Sequence, residues 1–164
     1  MIRGFLSDTK GSPAAEFVLA LPIMLALMFG GLEAGHFFWT EHKLVKAVRD
    51  GARYASRLPV DDLCNGEAVE FAAGVEDNIR EITRTGMLDG TVPKVPGWEA
   101  GDVEVDVSCE AFVDTGIYSD LGAQGPLVTV SSGSVPYPSI FAGLGFISNA
   151  VQLRAQSSAA VMGI

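Results

Sequence analysis

From residue 17 to residue 32 the chain reads FVLALPIMLALMFGGL, sixteen residues without a polar side chain. As a helix this run rises roughly 24 Å at about 1.5 Å per residue. Ala14 and Ala15 before it and Phe37, Phe38 and Trp39 after it extend the run. The total matches the roughly 30 Å hydrocarbon core of a bilayer, with Trp39 placed for an interfacial aromatic belt. Pro22 lies inside the run. It is costly in a soluble helix but tolerated in lipid. A cleaved secretory signal needs small residues at A-x-A spacing, and Glu-Ala-Gly-His-Phe-Phe after Leu32 does not supply them. The run is therefore read as a retained span over 14–39.

Beyond the span the pattern becomes amphipathic. Leu44, Val48, Gly51, Ala55 and Leu58 form one stripe. Lys43, Lys46, Asp50, Arg53 and Arg57 form another on the opposing side. The spacing predicts one helix over 12–58, with an amphipathic extension at 40–58, ended by Pro59. So long a helix does not fit within one small globule; half is expected in lipid and half packed on protein.

The remainder, 59–164, predicts a small α+β domain. Residues 61–66 carry an Asn-Gly turn signal, and 67–87 read as a second helix weakened at Gly86. A Pro/Gly-rich connector follows at 90–101. Residues 103–113 alternate, with valines on one side and Glu104, Asp106, Glu110 and Asp114 on the solvated side, as in a half-buried strand. Residues 127–135 and 151–162 read as further strands, and 139–147 are unassigned. Three antiparallel strands with a helix on one face close the expected fold.

Composition narrows the function. The 164 residues include 11 basic and 20 acidic side chains, a formal charge of −9, which removes nucleic acid as a default partner. An apolar fraction of 48% removes a disordered tail. Two cysteines cannot build a four-cysteine zinc site or a disulfide-dense scaffold. A Cys64–Cys109 bridge would stabilise by about 4 kcal/mol on the chain-entropy model; the alternative is two free buried cysteines. P-loop, GxGxxG, HExxH and GxSxG motifs do not occur. Glu33 and His36 stand three apart, but one such pair does not make a metal site. No catalytic residue, cofactor or metal is expected.

The sharpest local signal is Gly11-Ser12-Pro13-Ala14-Ala15-Glu16-Phe17. A short leader with Arg3 and Lys10 ends in a glycine, and a glutamate sits in the first turn of the apolar run. This resembles the processing site of type IV pilins and pseudopilins, and Glu16-Phe17 is similar to the motif of the tight-adherence (Tad/Flp) branch. The segments Gly30-Gly-Leu-Glu-Ala-Gly-His-Phe-Phe-Trp39 and Ala47-Val-Arg-Asp-Gly-Ala-Arg-Tyr-Ala55 extend the resemblance to the TadE-like family over about 10–57. Pro13 departs from the pattern, though it suits a first helical residue behind a Ser12 cap.

The resemblance implies that a prepilin peptidase cuts between Gly11 and Ser12, removing leader 1–11. It also implies that Glu16 and Phe17 serve assembly. A carboxylate in an apolar span costs roughly 2.5–3.5 kcal/mol at the span centre and less near its end. The new Ser12 ammonium of a neighbouring subunit would supply a partner; the alternative is that Glu16 merely favours the helix dipole. Gly31 and Gly35 form a small-xxx-small pair, and with Gly51 they are candidates for helix packing. The implied partners are prepilin peptidase, other pilins and pseudopilins, Tad inner-membrane assembly proteins and the lipid bilayer. Counting Lys43, Lys46, Arg49, Arg53 and Arg57 after the span against Arg3 and Lys10 before it would place the C-terminal domain in the cytoplasm. The leader resemblance and the paired cysteines place it instead in the periplasm, with the N-terminus cytoplasmic. Major pilins of this branch are little more than the helix, so the added domain implies an accessory, initiating or tip role. The alternative function is a single-pass membrane-anchored extracytoplasmic ligand-binding or sensor domain.

Overall fold

Helix α1, Ser12–Ala55, is 44 residues long and continues through Pro22. The computed structural model describes residues 12–66, 68–109, 126–144 and 151–162. The chain divides into two units, Met1–His36 and Phe37–Ile164. In the first, the apolar side chains of α1 are exposed from Phe17 to Leu32. In the second, Leu44, Ala47, Val48, Ala52 and Ala55 of the same helix are buried in the main core.

The amphipathic stripe decides which side of α1 is buried. Leu44, Val48, Gly51 and Ala55 are buried, Leu58 is half-buried, and Lys46, Arg53 and Arg57 are exposed. The regular helix stops at Ala55, short of the expected Leu58. The last turn tightens there: Ser56 N–H donates to Ala52 O, but Arg57 and Leu58 N–H reach only three residues back, to Tyr54 and Ala55. Shortening of this kind at a helix end satisfies carbonyls before a proline, here Pro59, which cannot continue the helix.

A 3-10 turn, Val60–Asp62, leads into a small hairpin of β1, Cys64–Asn65, and β2, Ala68–Val69, paired Cys64↔Val69 and Asn65↔Ala68. The expected helix over 67–87 is thus corrected: helix α2 covers Val75–Thr85. The Asn65-Gly66 turn, with Gly66 at φ 65°, commits the chain to a hairpin before helical periodicity takes over. Gly74 at φ 78° then starts α2 and Gly86 at φ 89° ends it, donating its N–H to Ile82 O. Left-handed backbone at both ends suits glycine and fixes the helix length. Ile79 and Thr83 face inward, and Arg80 pairs with Glu76 on the outer side.

The fold is α+β. Strand β3, Glu104–Ser108, pairs antiparallel with β4, Leu127–Ser131, which pairs antiparallel with β7, Gln156–Ala160. Val107, Val128 and Val130 are buried, while Glu104 and Asp106 are exposed, as the alternation predicted. Residues 110–113 of the expected first strand lie outside the described residues, as do Glu110 and Asp114.

Two expected strands are each divided. Residues 127–135 split into β4 and β5, Val135–Pro136, and 151–162 split into β6, Gln152–Leu153, and β7. β5 and β6 pair in a separate two-stranded sheet. The division has one cause on both strands. Ser132 N–H donates to Ala155 O, and Ala155 N–H donates to Ser132 Oγ, both at 2.9 Å. A side-chain oxygen thus replaces a backbone carbonyl in the ladder. Beside it Gly133, at φ 60°, lies so close to Asp102 O that a Cβ would overlap it. The buried Trp98 spans this step, its Nε1–H donating to Ser132 O at 3.2 Å. Residues 142–144, within the unassigned stretch, form a 3-10 turn.

Candidate functional site

Glu16 lies one helical turn beyond Ser12 on α1, about 6 Å along the axis. Its side chain is exposed, and the following side chains, Phe17, Val18 and Leu19, are 59%, 66% and 74% exposed. Aqueous exposure of this kind continues through Leu32 and is not sustainable in water: roughly 25 cal/mol per Å² of apolar surface favours removal to an apolar medium. Among the described residues α1 is the one helix long and apolar enough to cross a membrane. Gly11 lies outside the described residues, as does the Ser12 side chain.

The three candidate packing glycines separate into two kinds. At Gly31 and Gly35 an added Cβ would meet nothing within 4 Å, and Gly30 beside them is equally open. At Gly51 an added Cβ would overlap the Thr83 side chain of α2. Thr83 is fully buried, its hydroxyl donating to Ile79 O at 2.6 Å. Gly51 is therefore spent inside the chain, where it lets α2 approach α1, while Gly31 and Gly35 leave a smooth strip of backbone open to another helix.

Cys64 and Cys109 are bonded to each other, with Cα atoms 5.8 Å apart. The bridge joins the β1–β2 hairpin to the end of β3, and both residues are buried. It acts as a cross-link of the folded unit.

Several contacts left no clear trace in the sequence. Asp50, read as part of the charged stripe, pairs with Lys94 at 3.3 Å, and Lys94 N–H donates to Arg84 O. This pins the connector after α2 onto α1. Phe37 stacks edge-on against Tyr137, ring centres 5.3 Å apart, and Lys43 lies 4.2 Å over the Trp39 ring. A shallow cleft of about 540 Å³ opens at the step between the two sheets, with Glu104, Ser131, Ser134, Arg154 and Gln156 among its lining. Glu33 is buried and His36 half-buried.

The comparisons fall on the same region. The family model described as TadE-like protein matches residues 11–53, which begin at the glycine of the proposed cleavage site and end within the α1 turn that carries Gly51. No curated protein and no solved structure matches the chain.

Proposed function

We infer that this chain is a TadE-like minor pilin, a membrane-anchored structural component of a Tad pilus assembly system. The observation that carries the reading is a coincidence. The segment matched by the family model contains an apolar stretch of α1, Phe17 to Leu32, exposed along its length, with a glutamate one turn from the helix start. Among the described residues nothing covers that stretch, so its use is with lipid and with other helices.

The role follows from physical chemistry. Prepilin peptidase cuts after Gly11 and leaves an ammonium on Ser12. The Glu16 carboxylate of a neighbouring subunit meets that ammonium at similar membrane depth, and a charge-assisted pair offsets the cost of a carboxylate in lipid. Phe17 and the Gly31–Gly35 strip then pack laterally against other pilins. The unit from Phe37 onward supplies a specific contact surface on the periplasmic side. The Cys64–Cys109 bridge supports that side, because disulfides persist in oxidising compartments. A folded unit beyond the helix supports an accessory or initiating place in the fibre.

Mass spectrometry of the membrane-extracted protein tests the reading. An N-terminus at Ser12 is expected in cells with the peptidase, and an intact Met1 in cells lacking it. Intact Met1 in both would overturn the pilin reading in favour of an anchored ligand-binding domain, for which the cleft beside Arg154 is the place to look.

A further inference from the structure

The sequence spends its positive charge unevenly. Five of 11 basic residues fall within 43–57, against one acid, whereas 59–164 holds four basic and 15 acidic residues. The structure shows which of those five charges are used. Lys43 lies over the Trp39 ring, and Asp50 is paired with Lys94. Lys46, Arg49, Arg53 and Arg57 are exposed, and among the described residues they make no ion pair. Arg49 and Arg53 stand four apart, one above the other, on the side of α1 away from buried Leu44, Val48 and Ala55, and Arg57 follows in the turn just past the helix end. Like charges at that spacing repel one another, so the row is disfavoured in the isolated chain. A hollow of about 690 Å³ runs beside it; Lys46, Arg49 and Arg53 share its lining with two acids, Glu41 and the Lys94-paired Asp50.

We propose that this row is a docking surface for an acidic helix of another protein. The row belongs to the folded unit, and docking there requires no pilus, only a membrane boundary near Trp39. Arginine, rather than lysine, recurs along the row, and its planar fork suits bidentate pairing with carboxylates. Arg49 and Arg53 are about 6 Å apart along α1, which is the repeat of carboxylates at every fourth position of a facing helix, and Arg57 follows them in the closing turn. Lipid headgroups fit less well. Arg49 and Arg53 lie about 15 and 21 Å along α1 from Trp39, and at a 40° tilt about 11 and 16 Å of height remain. Surface fields of the bilayer fade over about 8 Å. A second copy also fits less well. Its acidic helix α2 carries Glu76, Asp77 and Glu81, but Arg80 and Arg84 interrupt them, and Arg80 already pairs with Glu76.

The test uses the full chain in phosphatidylcholine nanodiscs and two alanine-based helical peptides of equal charge. One carries glutamate at every fourth position; the other carries the same glutamates scattered around the helix. The face-matched peptide is expected to bind about tenfold more tightly, with an advantage lost in R49Q/R53Q/R57Q and kept in R80Q/R84Q. The triple Arg→Lys variant keeps the charge and is expected to retain part of it. Equal affinity of wild type for the two peptides overturns the proposal without recourse to any variant. Displacement of the peptide when a third of the lipid is phosphatidylglycerol assigns the row to lipid and overturns it. Arginine-dependent self-association in sedimentation assigns it to a second copy and also overturns it.

Discussion

The two halves of α1 are one unbroken helix with opposite fates. From Phe17 to Leu32 its side chains are exposed, and its glycines at 31 and 35 border open space. From Leu44 to Ala55 one face is buried, and its glycine at 51 is pressed against Thr83. Helix propensity does not separate them, since good helix formers fill both, leucine and alanine in the first and alanine, arginine and lysine in the second. The difference lies in pattern. The first half is apolar all round, which suits a medium that is apolar all round; the second is apolar on one side, which suits a protein core on that side. The same residue type, glycine, thus serves external contact in one half and internal contact in the other.

The largest effects that would sharpen this contrast come from the buried half. Leu44→Ala is expected to cost about 2–5 kcal/mol in denaturant unfolding of the folded unit, as a fully buried leucine leaves a cavity. Leu27→Ala, at a position 73% exposed, is expected to change that same transition by less than about 0.5 kcal/mol. Equal costs would erase the distinction. The disulfide belongs to the same side of the comparison. Cys64→Ser with Cys109→Ser should destabilise the folded unit by about 2–5 kcal/mol, read as a lower denaturation midpoint. Membrane insertion should not change.

Smaller effects test the glycines. Gly51→Ala is expected to cost about 1–3 kcal/mol by overpacking against Thr83. Combining it with Thr83→Ala should recover part of that loss in a double-mutant cycle. Gly35→Ala meets no neighbour, so the folded unit should unfold as before while lateral association weakens. A small effect is also expected at the Lys94–Asp50 pair, where both side chains are partly solvated. Lys94→Ala should cost under about 1 kcal/mol, and the difference should shrink in high salt.

How far the sequence showed these features depended on how local each cause was. The stripe of Leu44, Val48 and Ala55 announced its buried face because helix period alone sets it. The alternation through Val105 and Val107 did the same for β3. The start of the second helix is obscured in the sequence because a loose apolar periodicity runs on from the Asn65-Gly66 turn through the residues that form β2. The division of β4 from β5 and of β6 from β7 was not legible. It rests on Ser132 meeting Ala155 and on Gly133 lying against Asp102, contacts between residues far apart in the chain. Of the candidate site, Gly31 and Gly35 stand out by their spacing, whereas Glu16 is singled out by the resemblance of residues 11–17 to a pilin processing site. That Gly51 is filled by Thr83 could not, because nothing in α1 states what α2 will bring to it.

Photo-cross-linking along α1 tests the central claim most directly. With a photoreactive side chain placed in turn at Leu27, Leu32, Val48 and Ala55, the account predicts adducts to other membrane proteins from the first two. From the last two it predicts adducts within the chain alone. Intermolecular adducts of equal yield from all four positions, or from none, would contradict it.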